Sequence, residues 1–392
     1  LASHSGTPAC HRPTACPRPR GTRRVARAAL LLAWVIILHA GTANAAGFHR
    51  GGVGSCAQCH VMHDAVAGQV AMDGTRPLLM AASATDVCLM CHGPNGVFGL
   101  DPRNPPRELG GGNFVFLLED NLNDDANGAA QPIAGEAAGH SIISLTLGTI
   151  TDSRWDRAPG GTFPSHSLGC TSCHDPHGNA SFRMLRGPGP VASGQTQFFF
   201  PAPVAVGLDI TDSAARESAM QHTAYLAGVS AWCANCHGLY HQDSGDALFP
   251  HVVEGILETS TQRRYNRYNG DADPMGGDFA TAYLPEVPFE GTANTTTSMT
   301  GAAATDGIHC LTCHRAHASS APAAGRWDFR VYRLAEDGVA SGSYPLPNPY
   351  ADAGQGQLCR KCHMQSGEHD RGMACLACHG VTPELPWPME QP

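Results

Sequence analysis

Cysteine and histidine recur together along this 392-residue chain in one fixed order. Seven segments read Cys-x-x-Cys-His: Cys56, Cys59 and His60; Cys88, Cys91 and His92; Cys170, Cys173 and His174; Cys233, Cys236 and His237; Cys310, Cys313 and His314; Cys359, Cys362 and His363; and Cys375, Cys378 and His379. The chain holds 16 Cys and 21 His, and chance would supply roughly 0.04 copies of this c-type haem attachment pattern. Two thiols separated by two residues in a tight turn reach the two vinyl groups of one porphyrin, and the adjacent imidazole then meets the iron. The pattern therefore calls for seven covalently bound haem c groups, with His60, His92, His174, His237, His314, His363 and His379 as proximal ligands. A structural zinc site would need two Cys pairs brought together and has no use for a His beside each one. A thioredoxin-type redox pair expects one motif on a βαβ pattern rather than seven in Gly-rich sequence.

An iron that only carries electrons needs a sixth ligand, whereas an open position implies chemistry on a small molecule. Eleven His lie outside the motifs and the first 45 residues: His49, His63, His140, His166, His177, His222, His241, His251, His309, His317 and His369. His63, His177 and His317 follow a motif His by three residues and His241 by four. That is too close to serve the same iron from its opposite face, so each is expected to ligate a neighbouring haem and to hold two haems in contact. With enough imidazoles present, Met62, Met90 and Met364 read as packing residues. Lys361 is the sole Lys and lies between two motif cysteines, where it cannot replace the motif His. No convergent acid/base set or Ser-His-Asp set stands out, so the chain reads as an electron carrier without catalytic residues; a multihaem reductase is the alternative.

The elements that position these groups must be short. Gly 45 and Pro 29 interrupt long helices and strands. The expected fold is mostly irregular coil with short helices and few strands, with a chain of stacked haems as its core. The clearest helix candidate is 213–228, with Asp212 as N-cap and Gly228 as stop. Residues 18–27 carry five Arg and no acid, and an apolar run over 28–38 and Ala43-Asn44-Ala45 follow, as in a secretory signal. Residues 1–45 are thus expected to be a removed leader and 46–392 a single multihaem domain, with 364–392 a tail carrying the seventh haem. The segment 46–392 holds 19 basic against 34 acidic residues, a balance that makes nucleic acid a poor partner. An extracellular or cell-surface location is expected, with the periplasm as alternative.

Other features are weaker. Residues 123–128 resemble half of a calcium loop but are better read as a solvated acidic turn. Asn294 begins a glycosylation pattern within 292–300, which reads as a flexible linker. Arg263, Arg264 and Arg267 with Tyr265 and Tyr268 could cover haem propionates or form an exposed basic turn.

Longer blocks carry a resemblance: FHRGGVGSCAQCHVMH from Phe48, AGHSI at 138–142, APGGTFPSHSLGCTSCHDPHG at 158–178, WCANCHGLYH at 232–241, PFEGTA at 288–293, CLTCHRAHAS at 310–319 and LCRKCH at 358–363. In order and spacing they resemble the extracellular cytochrome filament family of metal-reducing bacteria. The resemblance implies a coil polypeptide wrapped around a continuous chain of bis-His haems, polymerised into a filament that passes electrons to redox partner proteins and external acceptors such as metal oxides. It implies that His63 ligates, in the adjacent subunit, the haem held by Cys310, Cys313 and His314. His49, His63, His140, His177, His241, His251 and His317 match recurrent family histidines, while His166, His222 and His309 are weaker distal candidates. The family chain ends soon after its sixth motif, so the seventh is a departure, and His369 is the candidate distal ligand for that haem or the sixth. A non-polymerising periplasmic or surface shuttle is the alternative assembly.

Overall fold

The computed structural model describes residues 56–61, 65–66, 69–70, 79–92, 110–118, 138–191, 194, 196–208, 217–241, 255–329, 331–337 and 346–363. His49, His63, His251, His369 and the acidic turn at 123–128 lie outside the described residues. So does the whole seventh motif, Cys375, Cys378 and His379, whose expected haem therefore stays a reading of the sequence. The chain divides into two units, Leu1–Gly47 and Phe48–Pro392, and every described residue belongs to the second.

Most of the described chain is turn and coil. Its α-helical pieces are α1 (Ala84–His92), α2 (Cys170–Cys173), α3 (Val229–His237), α4 (Thr259–Arg267) and α5 (Cys310–Cys313). Its strands form three antiparallel two-stranded ladders: β1 (Ala65–Val66) with β2 (Gln69–Val70), β3 (Gly189–Val191) with β4 (Thr196–Phe198), and β5 (Val204–Val206) with β6 (Ala224–Ala227). None of the described helices is long and apolar enough to cross a membrane.

The helix starts follow from local chemistry. Ser83 Oγ accepts the Asp86 amide at 3.0 Å and donates to Asp86 Oδ2 at 2.7 Å, a reciprocal cap that opens α1. Asp86 Oδ1 accepts in turn from Ser144 Oγ at 2.5 Å and the Thr146 amide at 3.1 Å, which ties α1 to a loop about 60 residues on. The helix expected over 213–228 is not formed in its described part. Ala224–Ala227 is a strand, and Gly228 adopts a left-handed φ of 81° that turns the chain into α3. A glycine read as a stop is a start, because only a residue without Cβ makes that turn at no steric cost.

A conventional side-chain core also exists, larger than the expectation of a haem-only core allowed. Leu257, Tyr265, Tyr283, Leu284, Val287, Phe289, Trp327, Leu334 and Leu358 pack into one buried cluster that anchors α4. Tyr265 reaches through it to donate its hydroxyl to Val287 O at 2.8 Å. Arg264 lies buried over the Tyr268 ring and bonds backbone carbonyls, so this cation supports the fold, whereas Arg263 and Arg267 on the same helix are exposed. The segment 292–300 is tied down rather than free: Thr296 O accepts the His222 amide, and Asn294 Nδ2 donates to Tyr225 O and Phe289 O. An amide nitrogen so used is a structural strut.

Candidate haem-binding sites

The motifs take two local shapes. The second motif (Cys88, Cys91 and His92) and the fourth (Cys233, Cys236 and His237) occupy the last turns of the nine-residue helices α1 and α3. In the third motif (Cys170, Cys173 and His174) and the fifth (Cys310, Cys313 and His314) the two cysteines instead bound the single turns α2 and α5. The two thiols of the second motif differ in setting. Cys88 lies partly buried against Cys170, whereas Cys91 is exposed on the last turn of α1, unlike the second cysteines of the other described motifs.

The single-turn sites are built alike down to individual atoms. The residue before the first Cys donates its amide to a hydroxyl three residues on: Gly169 to Ser172 at 3.1 Å, His309 to Thr312 at 3.0 Å. The chain then loops back so that His174 Nδ1 donates to Arg183 O at 2.8 Å, and His314 Nδ1 to Ala323 O at 2.9 Å. Both loops turn on two consecutive left-handed residues without glycine, Arg183 and Met184 (φ 49° and 56°) and Ala323 and Ala324 (φ 58° and 52°). Such residues cost roughly 1–2 kcal/mol each and persist where surrounding structure fixes them. Here an arginine does so. Arg186 donates its amide to Cys173 O and Nε to Thr171 O, and Arg326 repeats this with Cys313 O and Leu311 O. The first motif shares part of the plan, since His60 bridges Leu79 and Met80 donates its amide to Cys59 O.

Imidazoles from distant parts of the chain face one another. The ring centroids of His60 and His177 are 6.3 Å apart at 7°, those of His174 and His317 are 6.2 Å apart, and those of His140 and His237 are 5.9 Å apart. Two imidazoles bound to one metal at about 2 Å per bond place their centroids roughly 6 Å apart. The residues present therefore fit a six-coordinate iron between each pair.

Tautomer and charge favour ligation as well. His140 Nδ1 donates to Ala316 O at 2.6 Å and His237 Nδ1 to Pro159 O at 2.8 Å, as His174 and His314 do to their own carbonyls. An Nδ1–H engaged with a carbonyl leaves Nε2 with its lone pair, the form that binds metal. Burial pushes these four rings below the ordinary imidazole pKa, His237 to about 4, and takes His317 to about 3. All stay neutral at physiological pH.

The remaining candidates stand elsewhere. His222 is buried against the Tyr283 ring at 3.8 Å, with Nδ1 and Nε2 on the carbonyls of Thr223 and Ser298, so both nitrogens are occupied by backbone. His309 Nδ1 accepts the Leu311 amide and caps α5, and burial lowers its pKa to about 3. His166 is exposed on a 3-10 turn, and His241 ends another, tilted against Phe200. The sixth motif occupies a 3-10 turn, Leu358–Lys361, where Lys361 is 2% exposed. All twelve described cysteines are free of disulfides. Sequence reasoning did not single out Thr85, Ser230, Arg186 and Arg326. Aligning the motifs in pairs, Thr85 and Ser230 each three residues before a first Cys, would have exposed them.

Repeated attachment turns and facing imidazoles define a multihaem c-type cytochrome. No protein-family profile matches the chain. It is similar to the C-type cytochrome OmcS of Geobacter sulfurreducens, with 30% identity over 373 residues, spanning 76% of this chain and 83% of that protein. The Outer Membrane Cytochrome S filament of the same organism superposes with a TM-score of 0.64 at 27% identity, covering 81% of this chain and 99% of its own. The OmcS nanowires seen by cryo-electron microscopy give 0.63 at 26%. The chain belongs to the OmcS family of c-type cytochromes.

Proposed function

We propose that this protein is an extracellular electron conduit that carries seven haem c groups and assembles from identical subunits. Haem bound at the motifs supplies one-electron oxidation and reduction at iron. The two cysteines of each motif would attach a haem through thioethers, and the neutral imidazoles His140, His174, His237, His314 and His317 would offer ligands to iron. In this reading His177 serves the iron held by His60, His317 the iron held by His174, and His140 the iron held by His237. His222 and His309 are structural. Export of the chain fits the arginine-rich leader followed by an apolar run.

The observation that carries assembly is a register. The His three residues past a single-turn motif faces the proximal His of the preceding motif that has one: His177 faces His60, and His317 faces His174. By that rule the partner of His314 comes from the next such motif. The chain has no fourth Cys-x-x-Cys-His-x-x-His, so the series continues at His63 of a second copy. Head-to-tail contacts of this kind generate open filaments when the rotation between subunits does not close into a ring. The solved filaments of the relative support the same assembly.

His63→Ala tests it. The variant should keep its haem count by intact mass yet form no filaments by electron microscopy, and its sites should include one high-spin iron per chain. Filaments of normal length from this variant would overturn the assembly.

A further inference from the structure

Two hydroxyls outside the haem motifs join consecutive motifs in the same way. The Cys170 amide donates to Thr85 Oγ1 at 3.3 Å, and the Cys310 amide donates to Ser230 Oγ at 3.0 Å. Thr85 stands three residues before Cys88, and Ser230 three before Cys233. One helical turn separates each hydroxyl from the first thiol of its motif, so both lie on one face of α1 or α3. That face meets the following single-turn motif, which brings the Cys88 thiol beside Cys170 and the Cys233 thiol beside Cys310. An amide in the first turn of a helix has no acceptor within that helix. In both places a hydroxyl from the preceding motif supplies it.

The thiol contacts cannot survive haem attachment in that form. Thioether formation adds each S–H across a vinyl group, which removes the thiol donor and leaves the hydroxyl–amide bond in place. The backbone of the two attachment turns then remains tied through Thr85 and Ser230.

We propose that Thr85 and Ser230 are positioning residues for electron transfer, each locking one haem attachment turn onto the next and so setting the spacing of the second and third haems and of the fourth and fifth. This rests on the haem-conduit reading above. Electron exchange falls steeply with separation between porphyrin edges, so a bond that fixes two attachment turns fixes the rate between them. Only the hydroxyl is required, which is why Thr serves in one copy and Ser in the other. Gly169 belongs to the same device: a Cβ there would lie 2.5 Å from Thr85 Oγ1, while its φ of −160° is extended backbone that alanine adopts freely.

The test uses purified holoprotein and the exciton couplet in the Soret circular dichroism, which reports how closely haem pairs are held. Thr85→Val and Ser230→Ala should each weaken the couplet, while Thr85→Ser and Ser230→Thr should retain it. Gly169→Ala should weaken it without removing either bonding group, by wedging the two turns apart, and it carries the test if Thr85→Val fails to accumulate. Haem count by intact mass and the low-spin spectrum should stay at wild-type values throughout. A full couplet in Thr85→Val and Gly169→Ala at complete haem loading would overturn the proposal, as would an equal loss in Thr85→Ser. A lowered melting temperature with the couplet intact would also count against it, since that is what a merely structural bond gives. Absence of haem from the wild-type protein would instead overturn the conduit reading.

Discussion

His317→Ala removes one imidazole of a facing pair and leaves the other, His174, on its own carbonyl. The main chain at this position should hold, because its amide donates to Gly111 O at 2.7 Å and its carbonyl accepts the His140 amide at 2.8 Å. The lost ring is stacked on Phe114 at 4.4 Å. An aromatic contact of this kind contributes about 0.5–1.5 kcal/mol, and the cavity left behind brings the total cost to about 2–4 kcal/mol. That is within the stability of an ordinary domain, so the protein should still be recovered. If seven irons are bound and one loses its sixth ligand, about one-seventh of the haem should turn high-spin. Electron paramagnetic resonance of the oxidised protein would measure this fraction against haem count from intact mass. Added imidazole should enter the vacated space and return the signal to low-spin. A fully low-spin variant at complete haem loading would refute the facing-ring assignment, and so would a high-spin signal that imidazole leaves untouched.

Two further outcomes follow from buried charges. Lys361 is held over the Tyr265 ring at 4.5 Å, and burial lowers its pKa to about 8. Between pH 8 and the ordinary lysine value the unfolded chain binds more protons than the folded one, so stability rises with pH across that window. At pH 7 the charged Lys361 costs up to about 3 kcal/mol, part of it offset by the aromatic ring. Lys361→Met should therefore melt higher at pH 7, and its advantage should shrink on going to pH 10.5; a pH-independent gap would reject the burial argument. At Asp86, burial opposes ionisation, but hydrogen bonds from Ser144, Ser83 and Thr146 outweigh it and hold the carboxyl below its ordinary range. That stabilisation is present above the unfolded carboxylate pKa and is lost as pH falls through the folded one. Asp86→Asn should cost about 2–4 kcal/mol at pH 7 by thermal melting, with the difference closing in acid; equal melting at pH 7 would show that the carboxylate is dispensable.

The attachment motifs are legible in the sequence, because three residue types at one spacing do a single job. Spacing also leads to the expectation that His177 and His317 serve an iron other than that of their own motif. Which iron was not legible, since the facing rings come from parts of the chain over a hundred residues apart and only the folded loops bring them opposite. The unequal setting of Cys88 and Cys91 was hidden for the same reason: the motif is symmetric on paper, and only the packing of α1 on the following turn buries one thiol and leaves the other outside. The helix expected over 213–228 failed for a related reason. Its apolar pattern is local, but Ala224–Ala227 pairs with Val204–Val206, and that ladder together with the left-handed Gly228 overrides helical propensity. The segment 292–300 looked like a linker by composition. It is held by backbone bonds to His222 and Tyr283, residues whose role depends on a neighbour that composition does not specify.

Four ligand-oriented rings, His140, His174, His237 and His314, rest their Nδ1–H on a peptide oxygen, which carries no titratable proton. A carboxylate in that place would strengthen each imidazole as a donor and switch off in acid. With peptide oxygens instead, the partner of each Nδ1–H gains and loses no proton as acidity changes, so these four contacts keep one form from acid to alkali.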